Sequence, residues 1–178
     1  PAVESLRSLY MSLMLRPRTE ACKVLMITSP AAGSGKAFVA ANLAALIAET
    51  GKRVLLIESD LRTPGVHKFV GLDERAPGLS DMVAGRRSLK DVIRSHASLD
   101  LDVILQGTVT DNPGAMLLSQ ILDEAMIELR QRYDHILVNT SPLLPSGDAV
   151  AVGRLADVAL LVVRAEHSLV SETRDAQR

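Results

Sequence analysis

Aromatic side chains are scarce in this chain: its 178 residues include two Tyr, two Phe and no Trp. A core must therefore be built from Leu, Val, Ile, Ala and Met, and the stacking platforms that grip single-stranded nucleic acid are missing. No excess of positive charge compensates, because 20 Lys and Arg stand against 21 Asp and Glu, a net charge of −1. Nucleic acid is therefore not an expected partner, since a duplex-binding face carries a basic excess. Cys22 is the only cysteine, which excludes an internal disulfide and fits a reducing compartment. No apolar run reaches the ~20 residues that cross a bilayer. The longest, Ala37 to Ala48, is interrupted by Asn42.

What the chain does have is hydrophobic content, 47% of it, enough for one domain over residues 1–178 with a sizeable core. Pro1 follows no secretory pattern, and Arg178 falls inside a helical one, so the chain reads as part of a longer protein. Apolar residues at helical spacing predict an amphipathic leading helix from Glu4 to Leu15, ending before Pro17. Lys23 to Thr28 reads as a first strand, Lys36 to Glu49 as a helix closed by Gly51, and Arg53 to Ser59 as a strand covered on both faces. Short helical patterns follow at Leu79 to Ala84 and Leu89 to Arg94, then a third strand at Leu101 to Leu105. A helix from about Met116 to Arg132, a fourth strand at His135 to Asn139 and a helical stretch at Ala149 to Leu155 come next. A fifth strand at Val158 to Val163 and a helix from about Val170 complete the pattern. Strands alternating with helices predict an α/β fold: a doubly wound, mostly parallel sheet with helices on both faces.

In such a sheet ligands bind beyond the carboxyl ends of the strands. The first strand runs into Ser29-Pro30-Ala31-Ala32-Gly33-Ser34-Gly35-Lys36-Ala37 and then into a helix. That is the setting of a phosphate-binding loop of the P-loop NTPase type. Backbone N–H groups of Gly33, Ser34, Gly35, Lys36 and Ala37 would form an anion-holding concavity at the helix's positive end, and Lys36 would reach the outer phosphates. Two features of G-x-x-x-x-G-K-[ST] are absent: Pro30 stands for the first glycine, and Ala37 for the hydroxyl that ligates magnesium. The second strand ends in Glu58-Ser59-Asp60-Leu61-Arg62, whose period-two spacing puts both carboxylates and Arg62 on one side. Gln106 to Pro113 and Asn139-Thr140-Ser141-Pro142 mark two further strand ends. Histidines 67, 96, 135 and 167 lack metal-ligand spacing.

These motifs together resemble the bacterial tyrosine kinase family, the cytoplasmic catalytic domains of polysaccharide co-polymerases. The family's Walker A loop, Ser-x-x-Pro-Gly-x-Gly-Lys-[Ser/Thr], matches Ser29 to Ala37. Its apolar strand followed by Asp-x-Asp-x-Arg matches Val54 to Arg62, and its Walker B strand matches Ile136 to Pro142 with Asp148-Ala149. Its Asn-Pro turn matches Asn112-Pro113, and its amino-terminal Glu-x-x-Arg-x-x-Arg helix matches Glu4 and Arg7.

The resemblance implies ATP or ADP and Mg2+ as ligands, with Lys36, Glu58 and Asp60 in the catalytic positions. Asp60 and Glu58 would face the metal with Asn139 at the Walker B position, and Arg62 would join the nucleotide-binding set. It implies a ring-shaped homo-oligomer using Glu4 and Arg7, placed in the cytoplasmic part of an inner-membrane protein of exopolysaccharide or capsule export. The departures fall on the metal: Ala37 removes a hydroxyl, Glu58 lengthens an acid, and Asn139 removes a charge. Mg2+ demands near-octahedral oxygen geometry, so its binding and phosphoryl transfer are expected to be weak or absent. Away from the metal, Ala32 and Ser141 replace prolines, Ala115 an acid, and Tyr10 the second arginine of the leading helix.

Two other readings share the motif order. One is an active autokinase that phosphorylates tyrosines beyond Arg178, since Tyr133 at a strand entrance is expected to face the core. The other is a division-site or plasmid-partition ATPase, disfavoured because Ala31 and Ala32 occupy the region of that group's signature lysine.

Overall fold

Three five-residue strands set the architecture. β1 (Val24–Thr28) and β2 (Val54–Glu58) are buried at every position, and in β5 (His135–Asn139) only the first residue is partly exposed. Strands covered on both faces belong in the middle of a parallel sheet. The computed structural model describes residues 2–14, 23–96 and 100–176, and it places these strands at the centre of a six-stranded sheet. The order is β3-β4-β2-β5-β1-β6, where β3 is Ile93–Ser95, β4 is Leu101–Ile104 and β6 is Val158–Leu161. All neighbours run parallel except β3, an antiparallel edge strand on β4. The carboxyl ends of five strands thus point the same way, and the ladder sets Asn139 beside Ile27 on one flank and Glu58 on the other.

Helices cover both faces, as the alternating pattern predicts. α1 (Ala2–Met14) lies against α2 (Lys36–Ala48). On α2, Ala40, Ala41, Leu43, Ala44, Ile47 and Ala48 are buried, packing with Ile27, Leu56 and Leu137 on one side of the sheet. Its small side chains let the helix sit close to the strands, and full burial of Leu43 or Ile47 stabilises by about 1.5–3 kcal/mol each. The opposite face packs Met26, Ile57, Ile136 and Val138 under α4 (Leu79–Val83), α6 (Pro113–Leu117), α7 (Gln120–Arg132) and α8 (Asp148–Gly153). One-turn helices α3 (His67–Val70) and α5 (Leu89–Val92) and a terminal α9 (Val170–Ala176) complete the described chain.

Two expected helices are redrawn. The pattern from Leu89 to Arg94 stops at Val92, because β-branched Ile93 turns extended and opens β3, whose Ser95 Oγ donates to Asp102 Oδ1 at 2.6 Å. The single helix from Met116 to Arg132 is two, since the Ser119 hydroxyl accepts from Leu122 N–H and caps a new helix there. Leu15 and Pro17, the expected end of the leading helix, lie outside the described residues.

Candidate functional site: a phosphate loop and the neighbouring strand ends

The loop between β1 and α2 is shaped by two glycines. Gly33 (φ 81°) and Gly35 (φ 88°) occupy the left-handed region that favours glycine. The loop's early carbonyls are all engaged elsewhere. Ser29 O accepts from Leu143 N–H and Pro30 O from Leu144 N–H. Ala31 O accepts from the Ser29 and Ser34 hydroxyls, and Ala32 O from His167 Nε2 at 3.1 Å. Among the described residues the N–H groups of Gly33 to Ala37 have no such partners. Gly35 caps α2 with no side-chain acceptor, so the positive end of a 13-residue helix is left for an anion. Lys36 Nζ donates to Asp60 Oδ2 at 3.3 Å, with both side chains nearly buried.

Asp60 also organises its own turn, its Oδ1 accepting from Thr63 N–H (2.9 Å) and Arg62 N–H (3.3 Å) and its Oδ2 from the Thr63 hydroxyl (3.1 Å). Glu58 is fully buried, and four donors surround its carboxylate. Oε1 accepts from Asp60 N–H (3.0 Å) and Asn139 Nδ2 (2.7 Å), while Oε2 accepts from Gly65 N–H (2.9 Å) and Val66 N–H (3.0 Å). Burial pushes the carboxyl up to about 7, although Gly65, Val66, Asn139 and Asp60 each pull it down. Glu58 thereby ties the loop after β2 to the end of β5. That loop is drawn against the start of α2, where a β-carbon built on Gly65 would stand 3.2 Å from Ala37 Cβ. Asn139 is buried too, and its Oδ1 has no hydrogen-bond partner among the described residues.

The remaining expected site residues are spread more widely. Arg62 forms a two-point ion pair with Asp148, Nε to Oδ2 at 2.5 Å and Nη2 to Oδ1 at 3.3 Å, at the first residue of α8. On α1, Arg7 Nη1 pairs with Glu4 Oε1 at 2.9 Å, both exposed. Tyr10 turns its ring edge-on to His135, with centroids 6.3 Å apart. The strand end at Gln106 is taken up with α4: Asp81 accepts from Thr108, Gly78 and Arg86. Those bonds outweigh burial and hold its carboxyl down at about 2. Tyr133 is buried, as expected, and its hydroxyl donates to Asp102 Oδ2 at 2.5 Å. Motif reading missed Thr63, Gly65 and Val66, which act through turn geometry, and His167, whose only signal was its place just after β6.

A mostly parallel sheet with a glycine-rich loop from β1 to a buried helix, a lysine at the helix start and acids at the end of β2, one strand away across β5, defines a fold of the P-loop NTPase type. A family model described as an AAA domain matches residues 22–171. The kinase domain of the Escherichia coli tyrosine kinase ETK superposes with a TM-score of 0.91 at 34% identity, covering 99% of this chain and 69% of that one. The tyrosine-protein kinase wzc of Salmonella typhimurium is 39% identical over 163 residues, 92% of this chain and 22% of that protein. The chain belongs to the bacterial tyrosine kinase family. Division-site ATPases share its fold at lower similarity: MinD of Pyrococcus horikoshii, solved with Mg-ADP, gives a TM-score of 0.73 at 26% identity, covering 87% of this chain and 63% of that one. The chain spans about a quarter of the length of several of the kinases it resembles, 22–24% in each.

Proposed function

We propose that this domain holds ATP or ADP through its phosphate loop while transferring phosphate weakly or not at all, and that it serves assembly or regulation of exopolysaccharide or capsule export. The phosphate half of the site fits a nucleotide: loop carbonyls are turned away, the N–H groups are left open, and Lys36 stands at the helix start. Gly33, Ser34, Gly35, Lys36 and Ala37 would hold the phosphates, and a bound ATP would supply a transferable phosphoryl group. The donor set does not fit a tightly held Mg2+. Ala37 offers no oxygen, both oxygens of Glu58 are already engaged, and Asn139 is a neutral amide turned onto Glu58. Among the metal-side positions Asp60 alone keeps the residue of the family pattern, and it is shared with Lys36 and Thr63. The Asn139 to Glu58 bond carries this reading most directly, because it engages one oxygen of Glu58 and holds a neutral amide, its Oδ1 without a partner among the described residues, where the family pattern has a charged acid.

As a member of a family of longer proteins, the domain would act as the cytoplasmic part of a membrane-anchored chain. Among the described residues no helix is long and apolar enough to cross a membrane. A homo-oligomeric ring would use α1 through Glu4 and Arg7, although these two pair with each other here and Tyr10 packs inward where the family has its second arginine. The functional reading is tested by incubating the purified domain, with and without a tyrosine-bearing tail, with ATP and Mg2+. Phosphotyrosine at background level, unchanged by Lys36→Met, is the expected result. Rapid labelling that Lys36→Met abolishes would instead establish an active autokinase.

A further inference from the structure

The parallel pairing of β6 with β1 brings the turn after β6 onto the phosphate loop. That turn is tightly built. His167 and Ser168 N–H both donate to Arg164 O, and Arg164 N–H donates to Ser168 Oγ at 3.0 Å. Glu166, at φ 61°, is the only non-glycine residue with positive φ among those described. Left-handed backbone at such a residue costs energy and persists where its surroundings impose it. The turn delivers two side chains to the loop: His167 Nε2 lies 3.1 Å from Ala32 O, and Ser168 Oγ lies 3.5 Å from Ser34 Oγ. The imidazole also fills the space beside Gly33, where an added β-carbon would stand 2.7 Å from Nε2.

We infer that His167 is a positioning residue for the phosphate loop, clamping the Ala32 carbonyl aside so that the N–H groups after it face the anion. A carbonyl oxygen turned into the cradle would repel phosphate. The three preceding carbonyls are held by the loop's own hydroxyls or by the 143–144 backbone, so Ala32 is the one whose orientation depends on a distant side chain. The acceptor is a carbonyl, so Nε2 carries the proton, in the neutral and the charged ring alike. Gly33 is then required twice, for its positive φ and for the ring beside it. The effect on nucleotide rests on the function proposed above, whereas the state of the imidazole and the loop amides in the free protein do not.

The test uses the whole 178-residue domain without ligand, then with ADP. Nitrogen-15 spectra of neutral His167 are expected to show the proton on Nε2. His167→Ala is expected to shift the amide resonances of Gly33 to Ala37 and to lower their order parameters, and His167→Gln, which keeps a donor, to restore most of both. Titration with ADP is expected to show a loss of about 3- to 10-fold for His167→Ala, as for one lost hydrogen bond, with most of it recovered in His167→Gln. A proton on Nδ1, or loop amides indifferent to both substitutions, would overturn the clamp. If the wild-type domain binds no ADP, the nucleotide reading fails and the free-protein spectra still decide the role of His167.

Discussion

Asn139 Nδ2 donates to Glu58 Oε1 across 2.7 Å, joining the ends of two adjacent parallel strands where the fold brings its chemistry together. Neither residue is the Asp of the family pattern, and each suits the other. A carboxylate at 139 would face a buried carboxylate, whereas the amide offers it a proton. Asn139→Asp is therefore expected to destabilise the domain by about 1–3 kcal/mol near neutral pH, the cost of an uncompensated buried charge after partial protonation. It is not expected to restore phosphoryl transfer alone. Restoration calls for Ala37→Thr, Glu58→Asp and Asn139→Asp together, read as Mg2+-dependent ATP turnover; turnover rising in the single variant would contradict the pairing.

Glu58 gives a signed pH dependence. Its carboxyl sits at about 7 in the folded protein against 4.5 for the free side chain, because burial penalises the charge. Between those values the folded state holds the proton that the unfolded chain has released. Unfolding free energy from this group is thus full below about pH 4.5 and declines as pH rises toward and through 7, by up to about 3 kcal/mol. Urea denaturation at half-unit steps from pH 5 to 8 is expected to show that decline, flattened in Glu58→Gln. A rise of stability over the same window that Glu58→Gln removes would mean the four donors outweigh burial.

Arg62 and Asp148 form a separable pair. Arg62 is half exposed and Asp148 nearly buried, so the carboxylate has more to lose when the pair is broken. Asp148→Ala frees a solvated guanidinium, whereas Arg62→Ala strands a buried charge, and the second is expected to be the more destabilising in thermal melts. If Arg62 also serves nucleotide, Arg62→Ala lowers ADP affinity and Asp148→Ala does not. Equal losses in both variants would assign the pair to loop architecture alone.

At Ser119 the chain restarts a helix with a hydroxyl cap on Leu122 N–H. Ser119→Ala is expected to cost about 1 kcal/mol, and Ser119→Asp to retain most of the stability. Thermal melts of the two variants distinguish this from an uninterrupted helix, in which alanine would stabilise.

Much of this was legible in the sequence because the signals were local. Apolar runs bounded by charge gave β1, β2 and β5 to within a residue or two, and the spacing of Gly33, Gly35 and Lys36 located the loop. Glu58, Asp60 and Asn139 do converge on adjoining strand ends. What spacing left out depends on partners distant in sequence. Glu58 reads as an acid free to face a ligand until the N–H groups of Gly65 and Val66 close on it. Arg62 finds Asp148 86 positions away. His167 reaches Ala32 only because β6 lies beside β1, which no motif near residue 167 announces. The β3 edge strand was missed because three residues are too few to show a period.

The phosphate loop and the metal-side positions are predicted to have separated functions, and calorimetric titration of the purified domain with ADP tests that most directly. Run once with Mg2+ and once with EDTA, it is expected to show measurable binding whose affinity agrees within about threefold between the two, since the N–H cradle and Lys36 hold the phosphates without help. Binding at least tenfold tighter with Mg2+, or no binding in either buffer, would contradict the account.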